Sequence, residues 1–382
     1  MDLILDADGT FAWSRGPTAA PLLSLVGHRL LGEELRPVPG HSPRCHKDKD
    51  EDVTSTRVVG PGDPRDPAGS PGLIDPAVWV TTQFAAAQLG DQRRTARLVM
   101  LALQIARDPS SSLPRETQTW GDLKAAYRLL DRPEATFATL ATPHWQRTRT
   151  QADRGRWLIV DDTTEIDYGA KRQATGLGPV GRGTGRGFLL HSALVVASHD
   201  EWVAGLAGPI LFHRRLAPKG ETLTQKLRRD RESAVWGQLI EQVGPPPATA
   251  RWVHVMDRGA DDFEVFCRAR RIGADWIGRV KSRNRLVRDG AGRVRPLSDV
   301  LAAAAVAGGY TLALRARPQQ PARRARLEVA FAPVTTLVPR HPAASLKALT
   351  PQPIAQWVVW AREVNPPPRL RRISVFVCRS KR

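Results

Sequence analysis

The sequence predicts an α/β protein: a mixed sheet carrying a β-rich insertion, preceded by a small all-α domain. Three observations carry this. Trp157-Leu-Ile-Val160 is an apolar run that ends on Asp161, Asp162, Thr163 and Thr164, as in a strand buried on both faces. About 95 residues later Trp252-Val-His-Val-Met256 ends on Asp257. From Ile74 to Arg154 the apolar spacing is helical, as at Leu98, Leu101 and Ile105.

Carboxylates at strand ends are costly unless a cation compensates them. Two such strands in one sheet would bring Asp162 and Asp257 together over a divalent ion such as Mg²⁺. The plainer alternative is that each Asp caps a turn. Charge favours the first. Lys plus Arg is 57 against 38 Asp plus Glu, a net +19 spread along the chain. Such a balance implies a polyanionic partner, most simply nucleic acid. No amphipathic basic helix speaks for a membrane surface, and no apolar run approaches the ~18 residues of a spanning helix. Cys45, Cys267 and Cys378 are odd in number and far apart, which argues against a disulfide framework and for a reducing interior. The start of the chain lacks the pattern of a secretory signal. The expected location is cytoplasmic, with the DNA.

The elements follow in order. Residues 1–73 are rich in Pro and Gly and read as a disordered extension. Its His41, Cys45 and His46 form a loose cluster that reads as incidental. Val78–Leu89 is a candidate helix. Leu89-Gly-Asp-Gln-Arg-Arg-Thr-Ala-Arg-Leu98 opens a second, with Asp91 as N-cap. Arg93, Arg94 and Arg97 are spaced to share a helix face and grip phosphates; the bland reading is a solvated charged face. Helices follow at Trp120–Leu130, with Tyr127 and Arg128, and at Thr136–Arg154. Residues 74–154 thus form one helical domain.

Residues 155–284 read as a mixed α/β sheet. After the Asp162 strand, Gly176–Gly187 is a basic, flexible turn. Strands are expected at Phe188–Ala197, Trp202–Phe212 and Trp276–Val280, with helices at Glu232–Val243 and Asp262–Arg271. Residues 285–368 read as the β-rich insertion, with strands at Tyr310–Arg317, Arg326–Ala332 and Gln356–Arg362 and a basic loop at Pro318–Arg324. Residues 369–382 read as a divergent basic tail.

These residues resemble an ordered motif set of the DDE transposases of the insertion-sequence-four family, most closely the type encoded by transposon five. The set comprises Leu89–Leu98, Ala126-Tyr-Arg128, Asp161-Asp-Thr-Thr164, Gly187-x-x-x-His191-Ser192, Glu232-Ser-x-x-Trp236, Asp257-Arg-x-Ala-Asp261, Arg279-x-Lys281, Pro321-Ala-Arg-Arg324 and Val364-Asn-Pro-Pro367. It spans about residues 74–368. The resemblance implies an RNase H-like core and two-metal cutting and joining of DNA, with Mg²⁺ as cofactor and Mn²⁺ able to substitute. It makes Asp162 and Asp257 the catalytic metal ligands and leaves Asp161 beside them. It implies DNA contacts by Arg93, Arg94, Arg97, Tyr127, Arg128, Arg279, Lys281, Arg323 and Arg324. Double-stranded DNA, as transposon end and target, is the implied partner. A homodimer on DNA is one state it allows.

One part of the pattern is missing. The family's third acid, a Glu on a helix after the insertion, has no matching signature. Only Glu328 and Glu363 follow Glu264, and neither sits in the right motif. A truncated copy that binds DNA without cutting is therefore the alternative to an active enzyme.

Overall fold

The computed structural model describes residues 3–5, 11–13, 75–117, 119–171, 176–181, 185–214, 218–229, 231–314, 316, 321–366 and 373–379. Apart from a short hairpin, Leu3–Leu5 (β1) against Phe11–Trp13 (β2), the extension at 1–73 lies outside them. Two compact units divide the rest, helices up to Arg147 and a sheet unit from Thr148 onward.

The helical unit begins with α1 (Pro76–Phe84), capped by Asp75, whose side chain accepts the Ala77 N–H. α1 ends five residues earlier than the sequence suggests. The physical reason is a built corner. Ala87 and Leu89 are buried, and Gly90 takes φ 74°, a left-handed turn that glycine allows. The carbonyls freed from the helix find partners. Thr95 Oγ1 donates to the Ala87 carbonyl and Arg94 Nη1 to that of Leu89, each at 3.0 Å. Asp91 then caps α2 (Gln92–Arg107) by accepting the Arg93 N–H. α3 (Leu113–Glu116) and α4 (Trp120–Leu130) follow, α4 capped by Thr119. α5 (Phe137–Gln151) comes last. Val80, Phe84, Leu98, Leu101, Ile105 and Leu113 are almost fully buried in this unit, the helical stripe expected of its sequence.

In the sheet unit the central strands are β3 (Gly155–Asp167), β7 (Ala250–Met256) and β8 (Asp275–Arg279), all parallel. Before β7 come β4 (Gly178–Val180), β5 (Gly185–Ala197) and β6 (Val203–Phe212). β5 lies antiparallel to β3, and β6 antiparallel to β5. The helices are α6 (Leu223–Arg228), α7 (Ala234–Val243) and α8 (Phe263–Ile272), the last crossing between β7 and β8. Side chains alternate across each strand. Trp157, Ile159, Ala193 and Val195 pack with Leu239 and Val243 of α7. Val160, Val196 and Val255 form a smaller cluster with Leu158 and Leu194, on the opposite face by strand parity.

The later strands are β9 (Leu286–Asp289), β10 (Val294–Pro296), β11 (Val306–Leu314), β12 (Arg323–Thr336) and β13 (Ile354–Glu363). Helices α9 (Leu297–Ala303) and α10 (Ala344–Ala348) accompany them. Arg323 and Arg324, expected in a loop, begin β12. The larger difference concerns the stretch read as a tail. Ile373–Arg379 forms β14, hydrogen-bonded to β13 on one side and β8 on the other. Ile373-Ser-Val-Phe-Val is rich in strand-favouring residues, and β8 offers an edge that needs pairing. β14 thereby joins the insertion and the core in one sheet.

Candidate functional site

The acids are sorted by strand register. β3 does not end at Asp162, as its apolar run suggests, but continues to Asp167 because β5 goes on pairing with it; only the parallel pairing with β7 stops here. Val160 pairs with Val255, and Val255 with Ile277. Two residues further along each of these neighbouring strands stand Asp162, Asp257 and Arg279. Equal steps along parallel strands leave side chains on the same face, with strands ~4.8 Å apart. Asp257 keeps an extended backbone, φ −80° and ψ −171°, so the alternation continues through it. All three are half-buried.

Asp162 accepts the Thr163 N–H at 2.8 Å. Its carboxyl is nonetheless held above the usual range. Burial is the main cause, and the Asp257 and Asp161 carboxylates add to it. The Asp257 carboxylate is thus near enough for Asp162 to feel its charge. Asp257 accepts the Gly259 N–H at the start of a 3₁₀ turn, Arg258–Ala260.

Asp161 points the other way. Its Oδ2 meets His254 Nδ1 at 2.8 Å, and both side chains are almost fully buried. Burial raises the Asp161 carboxyl, and His254 opposes that shift. Nearby on the same face, Thr163 Oγ1 bonds His191 Nδ1 at 2.8 Å. The His191 ring rests on Trp236 with centroids 4.3 Å apart. Burial pushes the His191 imidazole down to about 3. This buried polar layer between sheet and helix was not foreseen. His254 and His191 stand in apolar runs, and nothing in their spacing marks them as partners of Asp161 and Thr163.

Among the described residues no group of three or more His, Cys, Asp or Glu is placed to hold a metal. His41, Cys45 and His46 lie outside those residues. The two late glutamates are engaged elsewhere: Glu328 with Arg362, and Glu363 with Arg323. Arg323 is thus paired, whereas Arg324 and Lys281 are exposed. The Lys281 N–H bonds Asp261, whose carboxylate also pairs with Arg285.

In the helical unit the three motif arginines part company. Arg94 holds the Leu89 carbonyl and pairs with Glu134 at 3.1 Å. Arg97 pairs with Asp122 of α4 at 2.8 Å. Arg93 is exposed. Tyr127 is half-buried, with its phenol pushed up by burial, and Arg128 is exposed.

Residues 76–135 match the family model for transposase DNA-binding. The matched segment takes in α1 to α4, the corner before α2 and all five helical-unit residues named above. The helical unit therefore carries a transposase-type DNA-binding domain, and DNA is the partner it supports. No helix among the described residues is long and apolar enough to cross a membrane.

Proposed function

We propose that this chain binds transposon-end DNA through residues 76–135. We further propose that its sheet carries two of the carboxylates of a metal-dependent DNA-cutting core of the insertion-sequence-four type. The family match carries the first part. The register that aligns Asp162, Asp257 and Arg279 supports the second. Parallel β3, β7 and β8 with a helical crossover, flanked by antiparallel β5 and β6, suit the RNase H-like reading.

The donor set fits a hard divalent cation. Mg²⁺ is commonly held by one or two carboxylates together with phosphate oxygens. Asp162 and Asp257 would hold it, and Asp162, raised mainly by burial and further by the neighbouring carboxylates, is the group a cation would relieve. The bound ion would supply a lowered pKa for an attacking oxygen and charge neutralisation at the leaving one. Arg279 then stands next in the row as a phosphate contact. Because a third carboxylate is not assembled among the described residues, end binding without cutting is the primary reading and nicking the second.

Gel retardation of a duplex transposon end, with Mg²⁺ or Mn²⁺, separates the two. Retardation without strand scission supports end binding alone. Scission that is abolished by Asp162→Ala or Asp257→Ala, with retardation intact, establishes the nicking reading. A chain that fails to retard duplex DNA at low salt sinks both.

A further inference from the structure

We infer that Trp120, with Lys124 and Arg128 behind it, is an aromatic–basic ridge of α4 that lies against the DNA. This rests on the DNA-binding reading of residues 76–135 and names a contact surface within it. Trp120 is 75% exposed, the largest value among the exposed large apolar side chains of the described residues. The other side of the same helix is its core face, with Leu123, Ala126, Leu129 and Leu130 buried. Lys124 and Arg128 are exposed and follow Trp120 at successive i+4 steps. One helix ridge therefore carries all three, with ~6 Å of rise between neighbours.

The ridge is held rigidly. Thr119 caps α4 by accepting the Asp122 N–H, which fixes the backbone at Trp120. The Arg97–Asp122 ion pair holds the start of α4 against the first turns of α2, the turns that carry Arg93. It also occupies the one acidic group in the first turn of α4. What faces outward is thus an indole flanked by cations. That combination matches duplex DNA: Lys and Arg meet phosphates, and the ring packs on the deoxyribose or a groove edge of the bases. A protein partner would gain from the indole but not from two adjoining cations unless it were strongly acidic.

The two kinds of contact respond differently to salt, and this gives the test. Phosphate contacts release counterions, whereas an apolar contact does not. Binding of the full chain to a fluorescein-labelled mixed-sequence duplex is measured by anisotropy across a salt series. Trp120→Ala is expected to weaken binding by up to roughly 10- to 150-fold with an unchanged salt slope. Trp120→Phe should retain most of the affinity. Lys124→Ala and Arg128→Ala should each lower the slope by ~0.9. Because Trp120 is so exposed, its replacement should leave the thermal midpoint unmoved, and Trp120→Phe controls for any residual packing. If Trp120→Ala binds as the parent does while Arg93→Ala weakens binding, the ridge is not a DNA contact although the domain is a DNA binder. Loss of self-association in sedimentation with unchanged DNA affinity would likewise overturn the proposal, assigning Trp120 to a protein interface. A parent chain with no affinity for the duplex would instead remove the DNA-binding reading beneath it.

Discussion

The helical unit and the acidic edge of the sheet both carry a dense motif, but they use its residues differently. In the helical unit the motif builds a corner. Gly90 turns the chain, Asp91 caps α2, and Arg94 and Thr95 take up carbonyls that α1 released. Two of its three arginines are spent on the fold, leaving Arg93 outward. At the sheet edge the motif residues are divided by alternation. Asp162 goes to one face with Asp257, and Asp161 to the other with His254. A motif cation on a helix can thus be structural although its spacing suggests a ligand. A motif acid on a strand has its face set by parity alone.

Substitutions sharpen this contrast, the largest effect coming from the buried layer of the sheet. His254→Leu leaves Asp161 buried without its partner and should cost ~3–5 kcal/mol in urea unfolding. Replacing both by apolar residues should recover most of that. A single variant within 1 kcal/mol of the parent would show that the pair is not an interaction the fold depends on.

The corner predicts smaller losses. Arg94→Ala and Arg97→Ala should each destabilise by ~1–2 kcal/mol, at the low end of the ~1.5–3 kcal/mol of hydrogen bonds to charged groups because solvent screens both part-exposed pairs. Arg93→Ala should stay within ~0.5 kcal/mol yet lower the salt slope of DNA binding by ~0.9. If Arg94→Ala and Arg97→Ala keep full stability and lose DNA affinity instead, the division between structural and contact arginines is wrong.

The last effect is one of sign. A carboxyl whose folded pKa lies above its unfolded value binds its proton more tightly when folded. Its contribution to stability then falls as pH rises through the window that starts near the unfolded value of 3.8. Asp162→Asn should therefore be more stable than the parent at neutral pH, with the gain vanishing below that window. Mg²⁺ should raise the melting temperature of the parent and not of the variant. The buried imidazoles behave oppositely: His144 is pushed down to about 4 and His191 to about 3. Protonating them costs stability as pH falls from 6.5 towards those values. With the carboxyls as a common background, His144→Asn and His191→Asn should each lose less stability than the parent between pH 7 and pH 4.5; variants that lose as much as the parent would contradict the burial of both imidazoles.

Much of the architecture was legible in local pattern. The helical stripe of α2, the Asp91 cap and the bounds of α4 follow from 3.6-residue periodicity and capping chemistry. Strands β3, β5 and β7 follow from apolar runs. Strand β14 was missed because its stretch, unlike the motifs before it, reads as a divergent basic tail, although its β-branched residues signal a strand. The pairing of Arg97 with Asp122 spans 25 residues and left no local trace.

The sequence by itself determined most element types, the basic character of the chain and the two apolar runs that lead into Asp161 and Asp257, because backbone preference and hydrophobic period act between near neighbours. Tertiary structure alone decided that His254 takes up Asp161, that Arg94 and Arg97 are held in ion pairs, and that β14 joins β13 to β8. Each of these depends on register or on a partner distant along the chain, and only the folded sheet and the packed helices bring such partners together.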